Sequence, residues 1–154
     1  MTPSDFGEIR PARHGDAAVL AELESEARAA LRDVRGGNAL LGEQPAVGDW
    51  EGLLSDPDRR VWVAVLDDLV VGYLELEAPT AAGVGVVRQV YVHPEARELG
   101  FGDDLLAVAI RTVRELGGVA IESFALPGDR ETKNLYERAG VTARKIIVSK
   151  RLTD

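Results

Sequence analysis

The feature that most restricts the fold of this chain is a run of three strand-like segments with no helical segment between them. The segments are Arg60–Leu66, Leu69–Glu77 and Gly85–Val92, and the turn-forming pair Asp67-Asp68 separates the first two. Consecutive strands joined by short connections pair antiparallel, whereas parallel strands need a long crossover. The centre of the chain therefore predicts an antiparallel β-meander.

The patterns on either side of this run predict a mixed sheet flanked by helices. Further strands are predicted at Phe6–Arg10, Val119–Phe124 and Ile146–Leu152. About four helices are predicted, which begin at the N-cap Asp16, near Gly48, after Gly102 and at the N-cap Asp129. Residues 36–46 are predicted as a mobile connection. The strand–helix–strand step over residues 85–124 implies one parallel pair, so the fold class is α/β, an α+β mixed sheet of six to seven mostly antiparallel strands.

Composition excludes several kinds of site. The 154-residue chain has no cysteine, so it has no disulfide, no Cys-ligated zinc, no iron–sulfur cluster and no thiol nucleophile. Two histidines do not suffice for a His-rich site, so no metal is expected. No apolar run approaches the ~18 residues of a membrane span, and the N-terminus lacks a signal pattern. We therefore expect a single cytoplasmic domain over residues 1–154.

Charge is distributed unevenly along the chain. The net charge is −8, which argues against nucleic acid as the main partner. Residues 1–77 carry 16 acidic and 7 basic side chains, whereas residues 78–154 carry 10 acidic and 11 basic ones. An acidic surface attracts cations, and a neutral-to-basic surface tolerates phosphates. Acidic surfaces also keep proteins soluble, so both interpretations stay open.

A glycine turn follows the third central strand and leads into a helix. The segment Val90–Leu106 reads VYVHPEARELGFGDDLL, with glycine at positions 100 and 102. Two alternate glycines let the backbone approach a ligand and expose N–H groups at a helix N-terminus, where a pyrophosphate fits. Leu105 stands where a dinucleotide-binding fingerprint needs a third glycine, and no Gly-Lys-Ser/Thr follows as in a P-loop. The alternative is an ordinary strand-to-helix turn that needs glycine for steric reasons.

Two segments together resemble the GNAT superfamily of acyl-CoA N-acyltransferases. Arg97–Gly102, after Val92-His93-Pro94, is similar to the family's Gln/Arg-x-x-Gly-x-Gly/Ala turn. Asn134–Gly140, with the sequence NLYERAG, resembles the family's L-Y-E-x-x-G segment. The predicted order of strands and helices also matches the family's over nearly the whole chain. The resemblance implies a GNAT-like fold and an N-acetyltransferase that uses acetyl-CoA as its cosubstrate.

The resemblance assigns a cofactor-binding role to the strand and turn. The pantetheine arm would pair like an added strand with the backbone of Val90, Tyr91 and Val92. The Val92 N–H is also the predicted donor to the reaction's oxyanion. The pyrophosphate would be held by the backbone amides of Glu98, Leu99, Gly100, Phe101, Gly102 and Asp103. Positive charge from Arg97, Arg130 and Lys133 would offset the carboxylates of Glu98, Asp103 and Asp104.

The resemblance also places the catalytic groups. Tyr136 would donate a proton to the departing thiolate, and Asp129 stands where the family usually has an asparagine that contacts the cofactor. Glu122, on the strand before the last helix, is the first choice for the base. Glu75, Glu77 and His93 are alternatives, although each is also typical of a solvated residue. Because cysteine is absent, a Cys-acyl enzyme is excluded, and direct attack in a ternary complex is expected.

The acceptor is expected to be a small-molecule or peptide amine bound by the acidic front half of the chain. That charge favours a cationic amine, such as a polyamine, an aminoglycoside-like amine or a basic peptide terminus. No nucleic-acid or membrane partner is expected, and a homodimer could form through the edge of the strand Ile146–Leu152. Two other classes stay open: a non-catalytic acyl-CoA-binding regulatory module, and a structural interaction domain that binds no CoA.

Overall fold

A computed structural model describes residues 7–153, which form one five-stranded sheet with helices on both faces. The strands are β1 (Gly7–Pro11), β2 (Arg59–Leu66), β3 (Leu69–Glu77), β4 (Val84–Val92) and β5 (Ala120–Glu122), in that order across the sheet. Strands β1 to β4 pair antiparallel, and β4 pairs with β5 in parallel. The mixed α/β class and its one parallel pair are thereby confirmed. Of the predicted first strand, Phe6 lies outside the described residues.

Five helices are present in the described part of the chain. They are α1 (Ala17–Leu31), α2 (Gly37–Glu43), α3 (Trp50–Leu54), α4 (Phe101–Glu115) and α5 (Arg130–Arg138). Helix α2 lies within the segment 36–46, where the sequence predicted only a connection. The Arg28 guanidinium of α1 donates to the carbonyls of Leu41 and Gln44 and so holds the end of α2. A contact between residues this far apart in sequence is not visible in local patterns.

The sheet separates two apolar cores, because side chains alternate between its faces. Leu74 and Leu76 of β3 are fully buried on the face that α4 covers, together with Leu105. Tyr73 points to the other face, where it packs with Leu20 of α1. Both faces of the central strands are therefore covered, and the ends of β4 and β5 are left to form a site.

The predicted final strand over Ile146–Leu152 is not formed. Residues 141–153 have no regular secondary structure, and the side chains of Ile146, Ile147, Val148 and Leu152 are between 79% and 88% exposed. Their apolar character is typical of a strand, but a strand also needs a partner, and β5 is only 3 residues long. The described residues thus contain five strands rather than six to seven. Within them, the edge expected to support a homodimer does not exist.

The turn before α1 depends on the buried carboxylate of Asp16. This group accepts hydrogen bonds of 2.8 and 3.0 Å from the Arg10 guanidinium and one of 2.7 Å from the Arg13 N–H. The bonds from Arg10, followed by the one from Arg13, hold the pKa of Asp16 below its usual range although burial opposes them. A carboxyl group whose pKa is lowered in the folded state stabilises the fold above its unfolded pKa of about 4. That contribution is lost as the pH falls through the lowered value.

We expect Asp16→Ala to lower the free energy of unfolding by about 2–3 kcal/mol at neutral pH, because the partly buried Arg10 guanidinium loses its charged partner. The difference in the free energy of unfolding between wild type and variant should narrow as the pH falls below about 4, where the wild-type carboxylate becomes protonated. Urea unfolding at several pH values measures both effects. Asp33→Ala, at an exposed site, should change stability by less than about 0.5 kcal/mol. Equal losses of stability in the two variants would show that the Asp16 carboxylate makes no special contribution to the fold.

Candidate functional site

The site is a groove that opens where β4 and β5 separate. The two strands pair only from Val84 with Ala120 to Val86 with Glu122. One residue further, the Ser123 hydroxyl donates to the Val87 carbonyl at 2.8 Å, after which no pairing between the strands is found in the described residues. The groove beyond this point has a volume of about 1150 Å³ and reaches from α1 and α2 to the N-terminus of α4.

The open edge of β4 offers backbone groups to the groove. The His93 N–H donates to the Val71 carbonyl of β3 at 2.7 Å, so the N–H groups of Val90 and Val92 face the opposite side by strand alternation. The Val92 carbonyl accepts a bond from the Arg97 side chain at 3.0 Å. This edge can therefore accept an extended amide chain at Val90 and Val92, whereas the Tyr91 N–H faces β3 by the same alternation. The pairing with the pantetheine arm that the resemblance implied stays a prediction.

The glycine turn ends the same groove. Gly100 has φ of +86° and Glu98 has φ of +71°, both in the left-handed region, where glycine is favoured and glutamate is strained. Helix α4 begins at the next residue, Phe101, and no side chain caps that end. The first N–H groups of α4 have no intrahelical partner, and the helix dipole favours negative charge beside them. The turn is thus suited to an anion such as a phosphate.

Most of the residues predicted to bind the cofactor line this groove. Those that line it are Val90, Tyr91, Val92, Arg97, Glu98, Gly100, Phe101, Gly102, Asp103 and Asp129. Leu99 packs instead against the core that α4 and α5 share with the sheet, and the Lys133 side chain lies on the exposed side of α5. Asp129 accepts from the Thr132 N–H and hydroxyl, so it is the N-cap of α5 that the sequence predicted.

The charged residues at the turn are already partly paired. The Arg97 guanidinium lies 2.7 Å from the Glu131 carboxylate, and Asp103 lies 2.9 Å from Arg138. Burial and the neighbouring Asp103 raise the pKa of Asp104. The turn therefore combines free backbone donors, which favour an anion, with carboxylates that oppose one.

Tyr136 lies where the two strands separate. Its hydroxyl is 2.7 Å from the Ser123 hydroxyl, and the side chain is almost fully buried. Because Ser123 uses its one proton on the Val87 carbonyl, the Tyr136 hydroxyl is the donor in the bond to Ser123. Burial raises the pKa of Tyr136 to about 12. The phenol is therefore protonated at neutral pH and can act as an acid.

A buried polar network forms the opposite end of the groove. The Gln89 amide donates to Glu24 of α1 at 2.8 Å and to Glu75 of β3 at 2.9 Å, and its oxygen accepts from the Tyr73 hydroxyl at 2.6 Å. Glu24 is 4% exposed and Glu75 is 3% exposed. Arg59 pairs with Glu75 at 2.6 Å. Two carboxylates thus face one guanidinium in this network, and both line the groove.

The sequence did not anticipate this network. Glu24 lies within the apolar stripe of α1, between Leu20, Leu23 and Ala27, and a carboxylate in such a stripe is a signal of a buried polar site. Glu75 was considered as a base, but its burial was not expected. Gln89 carried no signal at all, because its importance depends on contacts with α1 and β3.

The other candidates for the base lie away from the groove. Glu122 pairs with Arg144 at 2.6 Å and is not among the residues that line the groove. Glu77 pairs with Arg88 at 2.6 Å, and the His93 ring accepts from the Glu95 N–H. The geometry brings only Glu75 of the predicted set to the same groove as Tyr136.

Two further observations concern the described residues 7–153. They contain no group of three or more histidine, aspartate or glutamate side chains arranged to hold a metal ion. None of their helices is long and apolar enough to cross a membrane.

Comparisons with known proteins identify the family of this chain. A sequence model described as the acetyltransferase (GNAT) family matches residues 21–141. No curated protein sequence matches the chain significantly. That match covers well over half of the chain. The chain therefore belongs to the GNAT family, and it is an acetyltransferase of a family that uses acetyl-CoA.

Solved structures share the fold at low sequence identity. The aminoglycoside acetyltransferase meta-AAC0020 from an uncultured soil metagenomic sample is 18% identical, with 99% of each chain covered and a TM-score of 0.70. Ribosomal-protein-alanine N-acetyltransferase from Brucella melitensis biovar Abortus 2308 is 21% identical, with 96% of this chain and 99% of that chain covered and a TM-score of 0.64. AAC(6')-Iy, solved with a bisubstrate analog of CoA and monomethyl-acetylneamine, is 19% identical, covers 94% and 98%, and has a TM-score of 0.68.

Proposed function

We propose that this protein transfers the acetyl group of acetyl-CoA to a primary amine of a cationic acceptor, by direct attack in a ternary complex. One observation carries the proposal: a single groove contains the open edge of β4, the glycine turn and two buried carboxylates, Glu24 and Glu75. The first two features suit the cosubstrate, and the carboxylates suit an ammonium group. Tyr136 lies between them, at the point where the strands separate.

The chemistry follows from these positions. The amine nitrogen attacks the thioester carbonyl carbon, so a C–N bond forms and the C–S bond breaks. The N–H of Val92, on the open edge of β4, would donate to the oxyanion. Tyr136 gives its proton to the departing sulfur, and the proton released by the amine goes to the acceptor end of the groove, where Glu75 and Glu24 lie. Glu122 lies outside the groove, so we do not assign it this role.

The cationic acceptor is supported by the charge of the network. Glu24 and Glu75 are both buried, whereas Arg59 is the one guanidinium that pairs with either of them in the described residues. A buried carboxylate is costly unless a positive group or several hydrogen bonds compensate it. Glu24 accepts from the Val47 N–H at 3.1 Å and from Gln89, and Glu75 accepts from Gln89 and Arg59, so both are hydrogen-bonded. The two carboxylates still exceed the one paired guanidinium by one negative charge, which an ammonium group in the groove would balance. Turnover of cationic amines should therefore exceed that of neutral ones, and the difference should shrink as salt is added.

The proposal is tested first by binding. At acetyl-CoA concentrations about 100 times the Kd, the free energy of unfolding should rise by about 2.7 kcal/mol. For a chain of this size we expect the melting temperature to rise by about 5–10 °C. Differential scanning fluorimetry with acetyl-CoA, and with ATP as the control nucleotide, measures this shift. Equal shifts with the two ligands, or none with acetyl-CoA, would overturn the proposal.

Catalysis is tested by release of the CoA thiol in the presence of a panel of amines. We expect thiol release with polyamines, aminoglycosides or basic peptides, and little with neutral amines. Binding of acetyl-CoA without thiol release for any amine would instead support a non-catalytic acyl-CoA-binding module. The observation that favours this second candidate is the pair of carboxylates, Asp103 and Asp104, beside the glycine turn, because they oppose the binding of phosphates.

A further inference from the structure

We propose that Glu131 is a built-in competitor for the phosphates of CoA, because it occupies the arginine that would otherwise meet them. This inference rests on the proposed function, since it concerns how that same groove binds its cosubstrate. It assigns to Glu131 a role in setting cofactor affinity that neither the glycine turn nor the tyrosine segment indicates.

The geometry of Arg97 carries the argument. Its Nε donates to the Val92 carbonyl at 3.0 Å, and its guanidinium lies 5.8 Å from the centre of the Tyr91 ring. These two contacts fix the side chain along the groove, between the edge of β4 and the glycine turn. Among residues 7–153, the one ion that this side chain pairs with is the Glu131 carboxylate, which lies 2.7 Å from its Nη1. Arg97 and Glu131 both line the groove.

The ion pair between Arg97 and Glu131 is weak enough for another anion to replace Glu131. The Arg97 side chain is 35% exposed and that of Glu131 is 70% exposed, and pairs at such exposure are weak and screened by salt. A diphosphate at the turn would carry more negative charge than one carboxylate and would also meet the free N–H groups of α4. It should therefore displace Glu131 from Arg97, at a small cost in affinity. The cost includes the repulsion between the phosphates and the released carboxylate.

The test is calorimetric titration of CoA into the wild type and matched variants. Glu131→Gln should bind CoA about threefold to tenfold more tightly at low salt, and the gain should fall below about twofold near 0.5 M salt. Glu137→Gln removes the same charge from an exposed site on the same helix, and it should change the Kd by less than about twofold. Melting temperatures of all variants establish that each is folded.

A double-mutant cycle separates competition for Arg97 from general charge. In an Arg97→Gln background, the gain from Glu131→Gln should shrink to that of Glu137→Gln. If the wild type binds CoA and Glu131→Gln binds it equally or more weakly, the inference is wrong while the proposed function stands. If the gain persists undiminished without Arg97, competition for that arginine is also excluded. Absence of CoA binding by the wild type would remove the proposed function and this inference together.

Discussion

Replacing Tyr136 by phenylalanine should lower kcat by about 10²–10³-fold while changing the affinity for acetyl-CoA by less than about twofold. The variant keeps the buried ring and loses only the hydroxyl, which donates to Ser123 where β4 and β5 part. Because the pKa of Tyr136 is raised to about 12, the phenol holds its proton throughout the working range of pH. The loss in kcat should therefore be the same at pH values from about 6 to about 9.

Thiol-release kinetics and calorimetry measure the two quantities separately, with any amine that the panel identifies as an acceptor. Ser123→Ala is the informative comparison, because it removes the hydrogen-bond partner and leaves the phenol in place. We expect it to retain most of kcat, since burial is the main cause of the raised pKa of Tyr136 and keeps the phenol protonated without Ser123. A Tyr136→Phe enzyme with wild-type kcat would show that the tyrosine serves packing alone.

Replacing Gln89 by leucine should lower the free energy of unfolding by about 3 kcal/mol or more. The substitution removes the amide that joins Glu24, Glu75 and the Tyr73 hydroxyl, and each of these groups is buried. Buried polar groups that lose a partner cost about 1–3 kcal/mol each, and the cost is greater for charged ones. In a chain of this length the melting temperature should fall by about 6–12 °C.

The neighbouring residue provides a matched control. Arg88→Leu breaks the ion pair with Glu77, in which the side chains are 39% and 26% exposed, and should cost less than about 1 kcal/mol. Gln89→Glu would place a third carboxylate in the network, and its deficit should grow from pH 5 to pH 8 as that group ionises. Chemical unfolding at both pH values measures these losses. Similar stability for Gln89→Leu and Arg88→Leu would show that the network contributes little.

Local patterns were sufficient for most of the fold. The Asp67-Asp68 pair takes left-handed φ values of 50° and 65°, as a tight hairpin turn requires, and β2 and β3 extend from it as predicted. The turn at Gly100 and the apolar stripe of α4 were also predicted from local patterns, because turns and amphipathic helices are determined by neighbours within a few residues. The paired motifs at Arg97–Gly102 and Asn134–Gly140 likewise identified the family.

Contacts between distant residues account for what the sequence did not predict. Helix α2 is held by Arg28 of another helix, and the apolar segment at Ile146–Leu152 has no partner strand in the described residues. The acceptor end of the groove depends on Glu24 and Gln89, which are 65 positions apart. No periodicity or motif reports such a pairing, so the sequence located the cofactor end of the site better than the acceptor end.

One extra residue in β4 has a consequence for what the groove contains. Glu75 lies opposite Gln89, but Leu76 lies opposite Val87, so Arg88 has no counterpart on β3. Val87 packs with Val90 and Val92 on the α4 side, whereas Tyr91 packs with the core on the α1 side. Val87 and Val90 are three positions apart and yet face the same side of the sheet, whereas residues three apart in a regular strand face opposite sides. The bulge therefore shifts the alternation of side chains by one residue. If β4 kept its length but paired with β3 without the bulge, Gln89 would turn towards the apolar layer and the valines towards α1, so the bulge, as much as residue identity, determines the polarity of the acceptor end.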